Sequence, residues 1–213
     1  MAFLDLQQLE AGLTEMNLSL NGEQIECIDV FAESLYKWNR VYNLTAIQNK
    51  EEILTHHILD SLSLVAHLKN VKKGESFTLL DVGSGGGLPA IPLAICMPEC
   101  KVHMIDAVAK KVAFLRQVTL NLRLANAKAF HGRVESSLST QYDVITSRAF
   151  SSLPLFFNLT KALLKPDGCW LAMKGLLPRD ELIELDRLSL KYEVHSVDVP
   201  FLDEKRHLIC FYR

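Results

Sequence analysis

The pattern of apolar and polar residues along the chain changes near residue 78. From there to the C-terminus, short continuous apolar runs alternate with longer stretches in which apolar residues recur every three or four positions. Continuous runs are typical of strands buried on both faces, and the longer period is typical of amphipathic helices. Alternating strands and helices predict an α/β fold, with a doubly wound, mostly parallel sheet covered by helices on both faces.

The same pattern locates the individual elements. Strands are predicted at 78–83, 101–106, 127–132, 142–149 and 169–174, and helices at 89–97, 109–124, 152–164 and 179–192. Two further strand-like runs, 193–201 and 206–213, are separated only by "LDEK". Such a short link suits a hairpin, so the last two of the seven strands are expected to be antiparallel.

The region before residue 78 shows only helical periodicity. Asn21 and Gln24 form an N-terminal capping pattern at the start of residues 21–39, and Asn49 is expected to cap a second amphipathic helix at 49–68. We therefore predict two parts, a helical cap over 1–77 and an α/β domain over 78–213.

Composition and cysteine usage narrow the class of protein. Of the 213 residues, 49% are hydrophobic, which indicates a globular chain, and no apolar run approaches the ~20 residues of a membrane span. The N-terminus has no basic segment typical of a signal peptide. The five cysteines include no C-x-x-C pair, and Cys96 and Cys100 are interpreted as core residues. A cytoplasmic protein without a metal site is expected.

The net charge of −2 conceals an uneven distribution of charged residues. Residues 1–35 hold seven acids and no Lys or Arg, whereas residues 101–133 hold seven bases against the single acid Asp106. A concentration of positive charge in one segment favours an anionic partner such as nucleic acid, although any single lysine can simply be solvated.

The stretch "LLDVGSGGGLPA" (79–90) raises the question of a ligand, because a predicted buried strand leads directly into four glycines. A Walker phosphate loop is excluded, since no GK[ST] follows. A dinucleotide fingerprint fits only weakly, with Ala90 in place of its third glycine. The better match is D-x-G-x-G-x-G, formed by Asp81, Gly83, Gly85 and Gly87.

An acid placed directly before the glycines disfavours a pyrophosphate and favours a cationic ligand. S-adenosylmethionine carries an ammonium and a sulfonium, which Asp81 would attract. Gly83, Gly85 and Gly87 would let the main chain lie against the ligand. Asp106, about 20 residues further on, would bind ribose hydroxyls in either cofactor. Together with the terminal hairpin, this predicts a Rossmann-like class I methyltransferase fold that binds S-adenosyl-L-methionine.

The segment after the fourth predicted strand limits the methyl acceptor. It reads "TSRAF" (146–150), without the D/N-P-P-Y/F typical of adenine amino methylation, and the chain contains no Pro-Cys nucleophile of the kind used on cytosine C5. Guanine N7 needs neither group, because it carries a lone pair in the neutral base. Correct positioning of the two reactants would then suffice.

At this point the chain resembles a known family, the bacterial small-subunit ribosomal RNA methyltransferase G family, formerly called glucose-inhibited division protein B. The resemblance covers nearly the whole chain, with one departure at Ala90, where the family usually has glycine. The motifs that carry it are "KWNRVYNLTAI" (37–47), "HHILDSL" (56–62), "DVGSGGGLPAIPLAI" (81–95), "KKVAFLRQV" (110–118), "SRAF" (147–150), "MKG" (173–175) and "VPFLDEKRHLI" (199–209).

The resemblance implies methylation of N7 of G527, in the 530 loop of 16S ribosomal RNA, with S-adenosylmethionine as donor. Cofactor contacts are then expected at Gly83, Leu88, Val134, Glu135 and Arg148. Residues expected at the catalytic pocket are Asn43, His57, Asp60, Arg148 and Lys174. Arg148 is expected to bind either the methionine carboxylate of the cofactor or an RNA phosphate. Further contacts with RNA phosphates are expected from Lys110, Lys111, Arg116 and Arg123.

Three alternatives stay open on the sequence. They are a methyltransferase for a small molecule or protein, a nicotinamide-dependent oxidoreductase, and a non-enzymatic RNA-binding protein. A monomer is expected, with no membrane partner. The RNA partner is expected as free 16S ribosomal RNA, a small-subunit ribosomal particle or an assembly intermediate, among which the sequence does not choose.

Overall fold

The N-terminal region is helical. The computed structural model describes residues 2–72 and 76–213. Asn21 forms the expected capping box with Gln24, and Asn49 accepts a hydrogen bond from the backbone N–H of Glu51. The helices of this region are α1 (Leu6–Glu15), α2 (Gly22–Tyr42), α3 (Lys50–Ile53), α4 (Asp60–Leu62) and α5 (Leu64–Lys72), with a π-helical turn over Leu54–Leu59 between α3 and α4.

The remainder of the chain forms a seven-stranded sheet, as predicted. Its strands are β1 (Phe77–Val82), β2 (Cys100–Asp106), β3 (Ala127–His131), β4 (Tyr142–Arg148), β5 (Leu164–Lys174), β6 (Lys191–Val197) and β7 (Arg206–Tyr212), in the order β3-β2-β1-β4-β5-β7-β6. Strands β1 to β5 are parallel, and β7 is antiparallel to both β5 and β6. The expected terminal hairpin is therefore confirmed.

Helices connect the strands at the four predicted places, and the short helix over Val134–Ser137 was not predicted. They are α6 (Ala90–Cys96), α7 (Ala109–Asn121), α8 (Val134–Ser137), α9 (Leu153–Thr160) and α10 (Arg179–Arg187), and a 3-10 turn covers Lys161–Leu163. The helix predicted over 179–192 was too long, because Ser189 adopts a positive φ of 56° and β6 begins two residues later. Strand β5 begins five residues before the predicted start at 169.

The helical cap and the sheet share one hydrophobic core. Phe31 and Leu35 of α2 belong to the same buried cluster as Ile91 and Leu93 of α6, and all four side chains are at most 1% exposed. The predicted boundary between residues 77 and 78 falls within β1, which begins at Phe77, and it stays a prediction. Within residues 2–72 and 76–213, no helix is both long and apolar enough to cross a membrane.

Candidate active site

A concave site lies at the carboxyl ends of β1, β4 and β5. The connection after β1 leads to β2 on one side of β1, and the connection after β3 leads to β4 on the other side. Open α/β sheets bind ligands at such a switch point. This active-site cavity measures about 620 Å³. Its wall combines the glycine turn after β1, the ends of β4 and β5, the loop 44–47 and the π-helical turn.

The glycine turn has backbone conformations that residues with a Cβ rarely adopt. Gly83, Gly85 and Gly87 have φ values of 70°, 53° and 79°, in the left-handed region. A Cβ on Gly83 would lie 2.5 Å from Cδ2 of Phe150, and one on Gly87 would lie 2.6 Å from Ile91. Gly83 and Gly85 line the active-site cavity, whereas Gly87 does not. Gly87 thus serves the packing of the turn on α6.

A second cavity of about 200 Å³ continues on the other side of Gly83 and Phe150. Four predicted cofactor residues line it, namely Gly83, Asp106, Val134 and Glu135. The carboxylate of Asp106 accepts the N–H of Gly85 at 2.9 Å and the N–H of Val108 at 2.8 Å. These bonds fix the carboxylate at the end of β2 and tie it to the glycine turn.

Asp81 lies deeper than its place in the glycine motif suggested. It is 0% exposed and lines neither cavity, and its two carboxylate oxygens have no hydrogen-bond partner. Ser84 Oγ donates to the backbone carbonyl of Asp81, not to the carboxylate. Burial raises the pKa of Asp81 to about 7, against the attraction of Arg148. The result is a buried acceptor for which a cationic ligand would be favourable.

Replacing Asp81 should change how stability depends on pH. With a folded pKa of about 7 and an unfolded pKa near 3.8, the folded state holds an extra proton between these values. The stabilising contribution of Asp81 to the unfolding free energy is therefore fully present at low pH. It decreases as pH rises toward 7, by at most ~4 kcal/mol. The unfolding free energy of wild type minus that of Asp81→Asn, measured by urea denaturation from pH 4.5 to 8, should fall with pH. A pH-independent difference would contradict the raised pKa.

A buried ion-pair network joins the cap to the sheet at the cavity wall. Asp60 is 3% exposed and accepts from Arg148 Nη1 and from Arg206 Nε, each at 3.0 Å. Arg148 Nη1 also donates to the carbonyl of His56 at 2.9 Å. Ala149, immediately after Arg148, has a φ of 53°, a conformation rare for a residue with a Cβ. Arg148 is thereby held at the cavity with its charge matched by Asp60.

His57 is neutral at physiological pH and is already hydrogen-bonded. Its Nδ1 lies 2.9 Å from the carbonyl of His56 and 3.4 Å from Arg148 Nη2, and its Nε2 lies 3.1 Å from Thr45 Oγ1. Burial and the nearby Arg148 cation lower the pKa of His57 to about 4. Both nitrogens are therefore engaged in the wall, and the ring has no free position for taking a proton.

Positive charge dominates the cavity. Lys111, Arg148, Lys174 and Arg206 line it, and Asp60 is the single acid among its described lining residues. Lys174 Nζ donates to both oxygens of Glu181, at 2.9 and 3.1 Å, and so is fixed at the end of β5. Asp60, Glu181 and Glu204 pair with three of these four cations, and the remaining positive charge favours an anionic ligand.

The structure brings most of the predicted site residues together. His57, Asp60, Gly83, Gly85, Leu88, Lys111, Arg148 and Lys174 all line the active-site cavity. Sequence reasoning missed Arg206, His56 and Thr45, although each lies within a motif that carries the family resemblance. His56 also contributes to the cavity wall.

Besides Asp81 and Gly87, four predicted residues line neither cavity. Asn43 is exposed and ends α2 with a φ of 50°, one residue before the loop that lines the cavity. Lys110 lies over the ring of Tyr42, 5.7 Å from its centre. Arg116 and Arg123 line a separate groove further along α7. Among the described residues, no cluster of three or more His, Cys, Asp or Glu side chains is arranged to hold a metal ion.

A family model and the curated relatives of this chain indicate the same family. Residues 24–209 match the GidB family model, described as rRNA small subunit methyltransferase G. A protein named ribosomal RNA small subunit methyltransferase G from Methylibium petroleiphilum is 44% identical over 97% of this chain and 94% of its own length. The protein of that name from Neisseria meningitidis serogroup B is 42% identical over 95% of this chain and 96% of its own.

Solved structures share the fold at low sequence identity. A SAM dependent methyltransferase from Aquifex aeolicus aligns with a TM-score of 0.56 and 19% identity, covering 72% of this chain and 93% of that one. Fibrillarin from Aeropyrum pernix, solved with natively bound S-adenosyl-L-methionine, aligns with a TM-score of 0.55 and 16% identity, covering 72% and 76%. These likenesses show the class I methyltransferase fold.

Proposed function

The chain belongs to the rRNA small subunit methyltransferase G family, and from this premise we propose that it methylates guanine N7 in 16S ribosomal RNA with S-adenosylmethionine. The observation that carries the proposal is the cationic cavity at the switch point of the sheet, next to a glycine turn. Residue G527 of the 530 loop is the proposed target, by resemblance to the family. The proposed setting is the cytoplasm, with the protein acting as a monomer.

The residues present fit the donor. Asp81 offers two buried acceptor oxygens without partners, and Gly83 and Gly85 expose backbone where a Cβ is disfavoured. Asp106 keeps free lone pairs after accepting two backbone N–H groups. These features suit a ligand with an ammonium at one end and ribose hydroxyls at the other.

In this proposal the donor occupies both cavities. We place the adenosine in the smaller cavity, with its ribose on Asp106 and its base beside Val134 and Glu135. The methionine part then lies along Gly83 and Gly85, within the electrostatic reach of Asp81, and Leu88 closes the wall of the larger cavity. When bound, S-adenosylmethionine supplies an electrophilic methyl group.

The acceptor occupies the rest of the active-site cavity. Lys111, Arg148 and Lys174 are positioned to attract the phosphates next to the target guanine and to set its orientation. Guanine N7 would form the bond to the methyl carbon with its own lone pair while the methyl–sulfur bond breaks and leaves a neutral thioether, so the chain does not have to remove a proton. The engaged, neutral His57 agrees with this requirement, because it is held as part of the wall. Catalysis then rests on holding the two reactants in line.

Small ribosomal subunits from cells with and without the protein test this proposal. We expect N7-methylguanine at one position of 16S ribosomal RNA only when the protein is present, read by strand cleavage specific for that base. The control variants Cys100→Ala and Cys169→Ala should keep the mark, since both thiols are buried in the core and no covalent step is needed. A mark that persists without the protein, or a dependence on either cysteine in a folded variant, would overturn the mechanism.

The alternatives drawn from the sequence lose support. None of the similar proteins described above is named as a nicotinamide-dependent oxidoreductase. A small-molecule methyltransferase would not need four cations around its acceptor space, so it predicts turnover that depends little on salt. Steep loss of activity on ribosomal subunits as salt rises would favour the RNA substrate.

A further inference from the structure

A second groove lies outside the active site, between the C-terminal half of α7 and the edge strand β3. It measures about 620 Å³, within the range of ligand-binding clefts. Arg116, Arg123 and Lys128 line it, and no acid is among its described lining residues. Arg116 is anchored over β3, with Nε 3.4 Å from the carbonyl of Ala129. The groove therefore presents three positive charges without a negative counterpart.

The floor of the groove is apolar and unusually exposed. Leu120 is 76% exposed, although it lies on a helix whose other leucine, Leu115, is fully buried. Leu124 and Ala127 extend the apolar surface beside it. An apolar floor and a cationic rim together match the base and the phosphates of a nucleotide.

We propose that this groove binds an unpaired nucleotide of the RNA substrate, outside the position that is methylated. The base lies on Leu120 and Leu124, and the flanking phosphates meet Arg116, Arg123 and Lys128. This inference rests on the proposed function, since it assumes that RNA is the substrate.

The course of α7 explains how one RNA reaches both sites. Lys111, near the start of the helix, lines the active-site cavity, and Leu120 is nine residues further along. At 1.5 Å per residue the two positions are roughly 13 Å apart along the helix. Lys111 thus lines the active-site cavity, and Arg116 and Arg123 line the groove. A strand held at both points would be fixed in register relative to the methyl donor.

The triple variant Arg116→Gln/Arg123→Gln/Lys128→Gln tests the role of the rim. With unmethylated small ribosomal subunits we expect KM to rise roughly tenfold and the slope of log affinity against log salt to fall by about 2 units, at about 0.7 per phosphate. At saturating substrate, kcat should stay within about twofold, and the affinity for S-adenosylmethionine should not change. The matched control Lys69→Gln/Arg187→Gln/Lys191→Gln removes the same charge from α5, α10 and β6, toward the opposite edge of the sheet.

Equal KM values and salt slopes for the two triple variants would overturn the proposal. If the wild type itself forms no N7-methylguanine, the proposed function is wrong. The two failures are therefore distinguishable. The occupant is tested by replacing Leu120 with p-benzoylphenylalanine and irradiating the protein with small subunits. We expect a covalent product with 16S ribosomal RNA. A product with a ribosomal protein, or none, would show that the groove does not bind RNA.

Discussion

Gly83→Val should abolish binding of S-adenosylmethionine, with a loss of affinity of at least roughly 100-fold. A β-branched side chain at a φ of 70° is strained by about 1–3 kcal/mol. Its Cβ would also meet the ring of Phe150 at 2.5 Å, where Gly83 borders both cavities. The turn would have to move away from the position that we assign to the donor. Calorimetric titration with S-adenosylmethionine measures the effect.

The same substitution at Gly22 is the matched control. A Cβ there has nothing within 4 Å, so Gly22→Val should bind the donor normally. Circular dichroism and the unfolding midpoint check that Gly83→Val is folded. The double variant Gly83→Ala/Phe150→Ala separates the two causes, since it removes the ring but keeps the positive φ. Normal binding by folded Gly83→Val would mean that the turn does not contact the donor.

Arg148→Ala should reduce kcat/KM by roughly 100-fold or more and also lower stability. Removing one partner of a buried ion pair typically costs about 3 kcal/mol or more, and here Arg206 remains to offset part of the charge of Asp60. The loss of activity has a separate cause, because the guanidinium is positioned to hold donor or RNA in line for transfer. Steady-state kinetics with ribosomal subunits, together with urea denaturation, measure the two effects.

Two further variants define what Arg148 does. Arg148→Lys keeps a positive charge but loses the planar guanidinium that places Nη2 beside His57, so it should recover part of the stability and less of the activity. Arg187→Ala breaks an exposed pair with Glu184 and should change stability by at most ~1 kcal/mol, without affecting turnover. If folded Arg148→Ala turns over at the wild-type rate, Arg148 is only a structural residue.

Local sequence signals predicted much of the fold. The capping box at Asn21 and the hairpin between β6 and β7 depend on neighbouring residues, and both were correct. The end of the helix that begins at Arg179 was wrong, because a positive φ at Ser189 has no clear signal when the residue is not glycine. The start of β5 was also missed, since pairing of Leu164 with Tyr142 depends on a partner far away in the chain.

The sequence by itself determined the order of strands and helices, the glycine turn and the acids that flank it, because each depends on short-range periodicity or on one residue's backbone freedom. Only the tertiary structure decided where the charges act. Asp81 became a buried acceptor with a raised pKa because neighbouring elements exclude water from it. Asp60 gained Arg148 and Arg206 from positions 88 and 146 residues away. The bases of α7 were divided between two sites because successive turns of one helix face different neighbours.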